Sequence, residues 1–327
     1  MSLGKILDLL DEVGARRLCV LCHHNADPDA LYAGYALSKL LKKVRPHLTI
    51  ELAAAQGISR LSKHLVTKLP VQLTASPHIG DADAIFLVDT NTTQQLGDWK
   101  PLVEKGKRPV VFIDHHASHP ETEKLASIYV IDEQASSACE IVYDIFKESR
   151  IVLSREVALA LFLGIAYDTR HFMLGTSRTF KAIADLVEAG VDAEEALFML
   201  FIPMDISERL ARLKAAQRTR VVKLNGYLVA LSNLSTYQAS AARSLIEMGA
   251  DIAVVGGEKD GLLRVSLRAS RDFCRKTAIH LGREIAKPLG EYAHGMGGGH
   301  AASAGMNGEG DMESVFSKCV ELLKKRI

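Results

Sequence analysis

The stretch "VVFIDHHASH", from Val110 to His119, shows most directly how this chain folds. An apolar run ends at Asp114, and two adjacent histidines, His115 and His116, follow it. Neighbouring side chains of a strand point to opposite faces of the sheet. The three polar residues can therefore take different roles only if the strand ends here and the backbone turns. The stretch predicts a buried strand whose end carries an acid and two imidazoles.

Four further apolar runs of similar length surround this strand in the first half of the chain. Helical patterns separate them, and continuous apolar strands alternating with helices are typical of a mostly parallel sheet covered by helices. We therefore predict an α/β fold with its chemistry at the carboxyl ends of the strands. The predicted strands are "RLCVLC", "HLTIELAA", "DAIFLVD", "RPVVFID" and "ASIYVID".

The sequence pattern changes after Asn225–Gly226. Here "YLVALSNL" and two strands in "IAVVGGEKDGLLRVSLRAS", joined by the turn "EKDG", predict a second and smaller α/β domain. Pro203 ends a preceding helix, and Asp205 or Ser207 is placed to cap the next one. We predict a first domain at 1–200, a helical linker at 201–225 and a second domain at 226–327.

Composition excludes several classes of protein. The 327 residues carry a formal net charge of +1, so this is not a strongly polybasic chain. The five cysteines show no disulfide framework, and "CVLC" at Cys19–Cys22 lies in an apolar run, which favours buried thiols over a redox or zinc motif. No apolar run approaches the roughly 20 residues of a membrane span. We expect a cytoplasmic protein without membrane contact.

Carboxylates stand where several other apolar runs stop. If these runs end at neighbouring strand ends, the acids converge, and buried acids that lie together need a cation. Carboxylates with imidazoles suit Mn²⁺ better than zinc, and so many ligands would serve two ions about 3.5–4 Å apart. A single acid at a strand end more often just caps the next helix. The acids and histidine at these positions are His23, Asp27, Asp29, Asp89 and Asp168.

Five motifs in order resemble those of the DHH phosphoesterase superfamily. "HHNADPDA", "VDT", "DHH" and "GIAYDT" resemble the four motifs of its catalytic domain, and "GMGGGHAASAG" resembles the glycine-rich signature of the DHH-associated domain. The resemblance spans nearly the whole chain. It implies that residues 1–200 are the catalytic domain and residues 226–327 the substrate-binding domain, with the active site in the cleft between them. It implies a metal-dependent phosphoesterase in which a hydroxide bridging two Mn²⁺ ions attacks phosphorus, with Mg²⁺ or Co²⁺ as substitutes.

The resemblance also implies a role for each motif residue. His23, Asp27 and Asp89 would hold one ion, and Asp29, Asp89, His115 and Asp168 the other. Asp114 would orient the strand end and a ligand imidazole, and His116 would face the substrate phosphate as an electrophile or proton donor. His24 and His119 are predicted to lie outside the site. Tyr32 and Arg170 are bulkier than the glycines many relatives have nearby, which makes pocket shape and substrate size an open point.

Two features of the second domain are candidates for substrate binding. Gly297, Gly298, Gly299 and His300 would offer backbone N–H groups to a phosphate, particularly if a helix starts at Ala301. On the strand "RVSLRAS", period two places Arg264, Ser266 and Arg268 on one face, where arginine suits phosphate. A plain glycine turn and a solvated basic face are the alternatives. Weaker candidates are Arg271, Arg275, Lys276 and His294.

Length and architecture are closest to the nanoRNase and pAp phosphatase branch of the superfamily, which is related to RecJ. We therefore expect a small nucleotide or a short single-stranded oligonucleotide as substrate. A cyclic-dinucleotide phosphodiesterase and a non-catalytic nucleotide or metal sensor on the same fold are the alternatives. On the basis of its relatives, we consider a homodimer as the assembly of this chain.

Overall fold

The computed structural model describes residues 2–259 and 261–327. The chain divides into two compact units, of which the first ends at Ile202 and the second spans Pro203–Ile327. Each unit is built around its own sheet. Among the described residues, no helix combines the length and the hydropathy that crossing a membrane requires.

The first unit contains a five-stranded sheet in which every neighbouring pair is parallel, as the sequence predicts. Its strand order is β2-β1-β3-β4-β5, so β1, β3 and β4 are neighbours in the middle. All five predicted strands are present. They are β1 (Arg17–Cys22), β2 (Thr49–Ala54), β3 (Ala84–Val88), β4 (Val110–Asp114) and β5 (Ile128–Ile131).

Helices cover both faces of this sheet. Alternate residues of the central strands enter two apolar clusters, with Val111 and Ile113 on one side and Val110 and Phe112 on the other. The larger cluster packs under α2, α6 and α7. The α-helices of the unit are α1 (Ser2–Glu12), α2 (Pro28–Val44), α3 (Arg60–Leu65), α4 (Lys100–Glu104), α5 (Pro120–Leu125), α6 (Ala138–Ser149), α7 (Arg155–Asp168), α8 (Ser177–Glu188) and α9 (Ala193–Met199).

The second unit contains a mixed six-stranded sheet of order β10-β11-β9-β8-β7-β6. Asp205 caps its first helix by accepting a hydrogen bond from the N–H of Glu208 at 2.7 Å. Its elements are α10 (Ile206–Gln217), β6 (Arg220–Leu224), β7 (Tyr227–Asn233), α11 (Gln238–Glu247), β8 (Ile252–Lys259), β9 (Leu262–Ala269), α12 (Arg271–Thr277), a π-helix (Leu281–Ala286), α13 (Lys287–Tyr292), β10 (Met296–Gly299), β11 (Ser303–Gly308) and α14 (Met312–Lys324).

Two predictions about loops in this unit have different outcomes. β8 and β9 form the expected antiparallel pair, whereas the predicted turn "EKDG" includes Asp260, which lies outside the described residues. The helix considered at Ala301 is wrong, because residues 301–302 form the turn between β10 and β11. The glycines before it therefore belong to a strand at the edge of the sheet, where one side of the backbone has no strand partner.

Candidate metal centre

The carboxyl ends of β1, β3 and β4 bring three of the sequence motifs to one edge of the first sheet. His23 directly follows β1, Asp89 directly follows β3, and Asp114 is the last residue of β4. Asp89 has a left-handed backbone, with φ of 56°, and its N–H donates to the carbonyl of Ile113 at 2.9 Å. A left-handed conformation outside glycine costs free energy and concentrates at functional sites. The backbone thus turns as soon as β3 ends.

Helix ends supply the remaining acids. Asp27 caps α2, and its Oδ1 accepts hydrogen bonds from the N–H groups of Asp29 and Ala30, each at 3.1 Å. Asp29 lies in the first turn of that helix and is fully buried. Asp168 is the last residue of α7, where the helix dipole disfavours a negative charge. A carboxylate held at that position calls for a positive partner.

The two carboxylate oxygens of Asp89 face two different imidazoles. Oδ2 lies 3.6 Å from Nε2 of His23, and Oδ1 lies 3.5 Å from Nε2 of His115. His23 Nε2 is also 3.9 Å from Oδ1 of Asp27, and His115 Nε2 is 3.1 Å from Oδ2 of Asp168. Asp89 therefore stands between two groups of ligand-type side chains. One group is His23, Asp27 and Asp89, and the other is Asp29, His115 and Asp168.

The three residues Asp114, His115 and His116 at the end of β4 make different contacts. Asp114 is fully buried, and its Oδ1 accepts hydrogen bonds from the N–H groups of His115 and His116 at 2.7 and 3.1 Å. The same oxygen lies 2.7 Å from Nδ1 of His116. Asp114 thus holds the strand end as expected, but the imidazole it contacts is that of His116. Asp89, Asp114, His115 and His116 also form a third group of closely spaced ligand atoms.

The electrostatics of this cluster are unfavourable without a cation. Burial alone would lower the pKa of His23, but Asp27 and Asp89 raise it to about 10. Burial would likewise lower the pKa of His115, yet Asp168 and Asp89 raise it to about 11. Burial, followed by the charge of Asp89, raises the pKa of Asp29 well above its usual range. The side chains therefore retain protons that a divalent ion would replace.

Comparison with known proteins identifies the family. Residues 17–165 match the model described as "DHH family, N-terminal domain". An uncharacterized protein of Methanocaldococcus jannaschii is 32% identical over 329 residues, which cover 98% of this chain and 97% of that protein. The chain belongs to the DHH family. It is thus an enzyme of the phosphoesterase class, as the resemblance implies.

Other relatives of this DHH protein have more specific names. The "probable bifunctional oligoribonuclease and PAP phosphatase NrnA" of Streptococcus mutans is 26% identical, and the alignment covers 92% of this chain and 93% of that protein. A "probable manganese-dependent inorganic pyrophosphatase" of Streptococcus agalactiae is also 26% identical, and the alignment covers 88% of this chain and 94% of that protein. An exopolyphosphatase-related protein of Bacteroides fragilis shares the fold, with a TM-score of 0.65, 17% identity and coverage of 99% and 96%.

The chemistry of the DHH cluster fits a divalent metal. Asp89 Oδ1 and His115 Nε2 are buried, and although His115 Nε2 lies 3.1 Å from Asp168 Oδ2, neither atom forms a well-directed hydrogen bond with a described residue. Buried polar atoms are normally paired, so these two atoms require another partner. The donor set consists of carboxylate and imidazole, which suits Mn²⁺ and similar ions.

Residues that the sequence analysis left outside the site have other contacts. His24 is exposed, and His119 caps α5 by accepting a hydrogen bond from the N–H of Glu121 at 3.3 Å. Tyr32, noted as bulkier than the glycines of many relatives, is fully buried in the larger apolar cluster. Arg170 is exposed and has φ of 51°, and it begins three consecutive left-handed residues two positions after Asp168. This strained turn was not predicted.

Four of the predicted substrate residues of the second unit share one open sheet face, namely Arg264, Ser266, Arg268 and Gly298. Paired residues of antiparallel strands point to the same side. α11 covers the part of this face formed by β8, where it packs on Ala253 and Val255. The remaining part consists mainly of small residues between arginines. It contains Arg264, Ser266 and Arg268 on β9, their partners Asn307, Gly305 and Ser303 on β11, and Gly298 on β10.

Among the described residues, the arginines on this face have no carboxylate partner. Arg264 is exposed, Arg268 is half-buried, and neither forms an ion pair with any described residue. The Nε of Arg268 is buried and has no hydrogen-bond partner among those residues. Burial, together with the charge of Arg243 on α11, lowers the pKa of Arg268. By contrast, Arg275 and Lys276 both contact Asp272 at 2.6 Å, which neutralises part of their charge.

The glycines of the "GGGH" motif differ in their surroundings. A Cβ added at Gly297 would lie 1.8 Å from the carbonyl oxygen of Ala286, so this glycine lets β10 pack on the π-helix. Gly299 has φ of 134°, which other residues rarely adopt. A Cβ at Gly298 would meet nothing within 4 Å, and this residue lies on the open face. His300 is exposed, and its N–H donates to the carbonyl of Ser303 at 2.8 Å.

Proposed function

We propose that this DHH protein is a Mn²⁺-dependent phosphoesterase that hydrolyses phosphate esters of small nucleotides or short single-stranded oligonucleotides. The observation that carries the proposal is Asp89, whose two oxygens face two separate groups of acids and imidazoles. One shared carboxylate between two ligand groups is the arrangement that a pair of divalent ions needs. The names of the S. mutans and S. agalactiae relatives support phosphate chemistry and manganese.

The residues that would hold the metals follow from the two groups. His23, Asp27 and Asp89 would hold one ion, and Asp29, His115 and Asp168, with Asp89, would hold the second. When bound, the ions supply Lewis-acid stabilisation of phosphoryl oxygens and lower the pKa of water. Mg²⁺ and Co²⁺ are the expected substitutes.

The chain itself contributes positioning and protons. His116 is half exposed, and Asp114 fixes its ring through Nδ1 at 2.7 Å. Its Nε2 is therefore the atom we assign to the substrate phosphate or the leaving oxygen, because Nδ1 is already engaged. A fully buried Asp114 raises the pKa of His116, which favours the proton-carrying form needed for donation.

Substrate binding is assigned to the open face of the second unit. Guanidinium groups bind phosphate through several N–H donors at once, and small residues let a ligand approach the backbone. We therefore assign catalysis to the first unit and substrate binding to the second unit. The predicted linker at 201–225 contributes α10 and β6 to the second unit. Arg264, Arg268 and His300 would bind phosphate or a base, and Ser266 and Gly298 would form the floor beneath it. Gly297 and Gly299 would support this floor by letting β10 take its place at the sheet edge.

A substrate panel with Mn²⁺ tests this proposal. Full-length, metal-free protein is reconstituted with Mn²⁺ and assayed on pAp, RNA and DNA oligomers of two to five nucleotides, cyclic dinucleotides and pyrophosphate. The highest kcat/KM is expected for pAp or the shortest oligomers. A preference for pyrophosphate or cyclic dinucleotides would contradict the substrate assignment. Fewer than one bound Mn²⁺ per chain together with no hydrolysis would instead favour a non-catalytic sensor.

A further inference from the structure

The carboxylate of Asp29 is held by the beginning of another helix. Its Oδ2 accepts a hydrogen bond from the N–H of Ala138 at 2.6 Å, and its Oδ1 accepts one from the N–H of Cys139 at 2.9 Å. Both N–H groups belong to the first turn of α6, whose dipole also favours a negative charge there. Gly164 of α7 leaves the space, because a Cβ there would lie 2.2 Å from Sγ of Cys139 and 3.0 Å from Asp29 Oδ1. The position of this turn therefore fixes the direction of the Asp29 oxygens.

A buried glutamate anchors that same turn. Glu140 is fully buried, and its Oε2 accepts hydrogen bonds from the N–H of Ser136 at 3.1 Å and the hydroxyl of Thr179 at 3.2 Å. Its own N–H donates to the hydroxyl of Ser137, which caps α6, at 3.0 Å. A buried carboxylate without a cation is costly. The anchoring therefore depends on a positive partner for Glu140.

Arg178 provides that partner and contacts two further carboxylates. Its Nε lies 3.2 Å from Oε1 of Glu140, which is an ion pair without a hydrogen bond. Nε and Nη2 both donate to Oδ2 of Asp144 of α6, at 3.1 and 2.6 Å. Its Nη1 donates to Asp132 at 2.5 Å, and the N–H of Asp132 in turn donates to the carbonyl of Asp114 at 3.0 Å. One guanidinium in the first turn of α8 thus connects the beginning of α6 with the end of β5. Lysine cannot reproduce this, because it lacks the planar set of N–H donors.

We propose that Arg178 is a positioning residue for the metal group of Asp29, His115 and Asp168, acting through Glu140 and the first turn of α6. It does not touch the ligand atoms itself. Because Asp29 belongs to only one of the two groups, loosening this turn acts on that group and leaves the group of His23, Asp27 and Asp89 intact. The inference rests on the proposed metal-dependent function.

Mn²⁺ titration of the metal-free, full-length protein tests the inference without substrate. The variants are Arg178→Gln and Arg178→Lys. Lys147→Gln is the matched control, because Lys147 joins α6 to α8 through Asp185 at 3.0 Å but does not contact Glu140. Arg178→Lys keeps a positive charge beside the buried glutamate, so it decides the test if Arg178→Gln does not fold. Calorimetry gives the affinity of each binding step, and thermal unfolding is recorded in parallel.

We expect one of two Mn²⁺ binding steps to weaken by about 10–100-fold in the Arg178 variants, the effect typical of residues that support metal ligands. The other step should change by less than about threefold, and activity should recover at high Mn²⁺. Lys147→Gln should leave both steps unchanged. Unchanged binding in the Arg178 variants, or equal weakening of both steps, would overturn the inference alone. A wild-type protein that binds no Mn²⁺ would overturn the proposed function, and this inference with it.

Discussion

Replacing Asp89 with asparagine changes one oxygen and one charge at the residue on which both ligand groups depend. Asp89 is only 3% exposed, and its oxygens lie 3.5 and 3.6 Å from His115 and His23. The amide keeps the size of the side chain but cannot bridge two cations with two negative oxygens. We therefore expect both groups to be affected by this single substitution.

The expected magnitude follows from these contacts. Loss of one group that stabilises a transition state typically lowers kcat by about 10²–10³-fold. Because Asp89 faces both groups, we expect a loss of at least about 10³-fold, or about 4 kcal/mol. Each Mn²⁺ ion at about 100 times its Kd stabilises the folded protein by about 2.7 kcal/mol, so two ions contribute about 5.4 kcal/mol. At about 2–4 °C per kcal/mol, this raises the Tm of the wild-type first unit by about 11–22 °C.

Two measurements on the same preparations check this expectation. Mn²⁺-dependent hydrolysis gives the loss in kcat, and thermal unfolding with and without Mn²⁺ gives the metal-induced change in Tm. The Tm with Mn²⁺ is compared with each protein's own metal-free value, because loss of the Asp89 charge relieves Asp29 but removes a partner of protonated His23 and His115. Asp98→Asn, at an exposed position nearby, is the control. An Asp89→Asn protein that keeps more than a tenth of the activity, or the full Tm increase with Mn²⁺, would refute the bridging role.

Three further predictions concern other parts of the chain. Gly297→Ala should destabilise the second unit by at least about 1–3 kcal/mol in urea unfolding, because the added Cβ would overlap the π-helix. Gly298→Ala, the control, should keep the wild-type stability. Equal stability of the two variants would contradict this packing. Arg268→Gln should raise KM for nucleotide substrates by about tenfold or more, because each lost hydrogen bond to a charged group costs about 1.5–3 kcal/mol. The Tm should change little. An unchanged KM would show that Arg268 does not bind the substrate. In the native protein Cys274 should react first with a thiol reagent, because the other four cysteines are buried. Burial also raises the pKa of Cys19 to about 12. Rapid labelling of Cys19 and Cys22 would instead support the redox interpretation of "CVLC".

The sheet of the first unit could be predicted because its signals are local. Each central strand is a continuous apolar run that stops at a polar residue, and such runs determine both the strand and its burial. The proximity of His23, Asp89 and His115 also follows, because neighbouring parallel strands end at the same edge. The position of Asp168 in the same site does not follow from the strand order, because Asp168 ends a helix rather than a strand.

Other features depend on contacts between distant residues and left no local signal. The hydrogen bonds from α6 to Asp29 join residues 109 and 110 positions apart. Arg178, in an ordinary amphipathic helix, gave no indication that it contacts three carboxylates. Tyr32 follows the first motif closely, and only the packing of α2 shows that its side chain turns into the core. The glycines at 297–299 suggested a helix N-terminus, but packing on the π-helix requires an edge strand instead.

Anomalous diffraction from crystals grown with Mn²⁺ would test the central claim most directly. Data collected on both sides of the manganese absorption edge locate each ion without reference to activity. We predict two peaks about 3.5–4 Å apart, one on each side of Asp89. One peak should contact His23 and Asp27, and the other Asp29, His115 and Asp168. A single peak, or two peaks that do not share Asp89, would contradict the account.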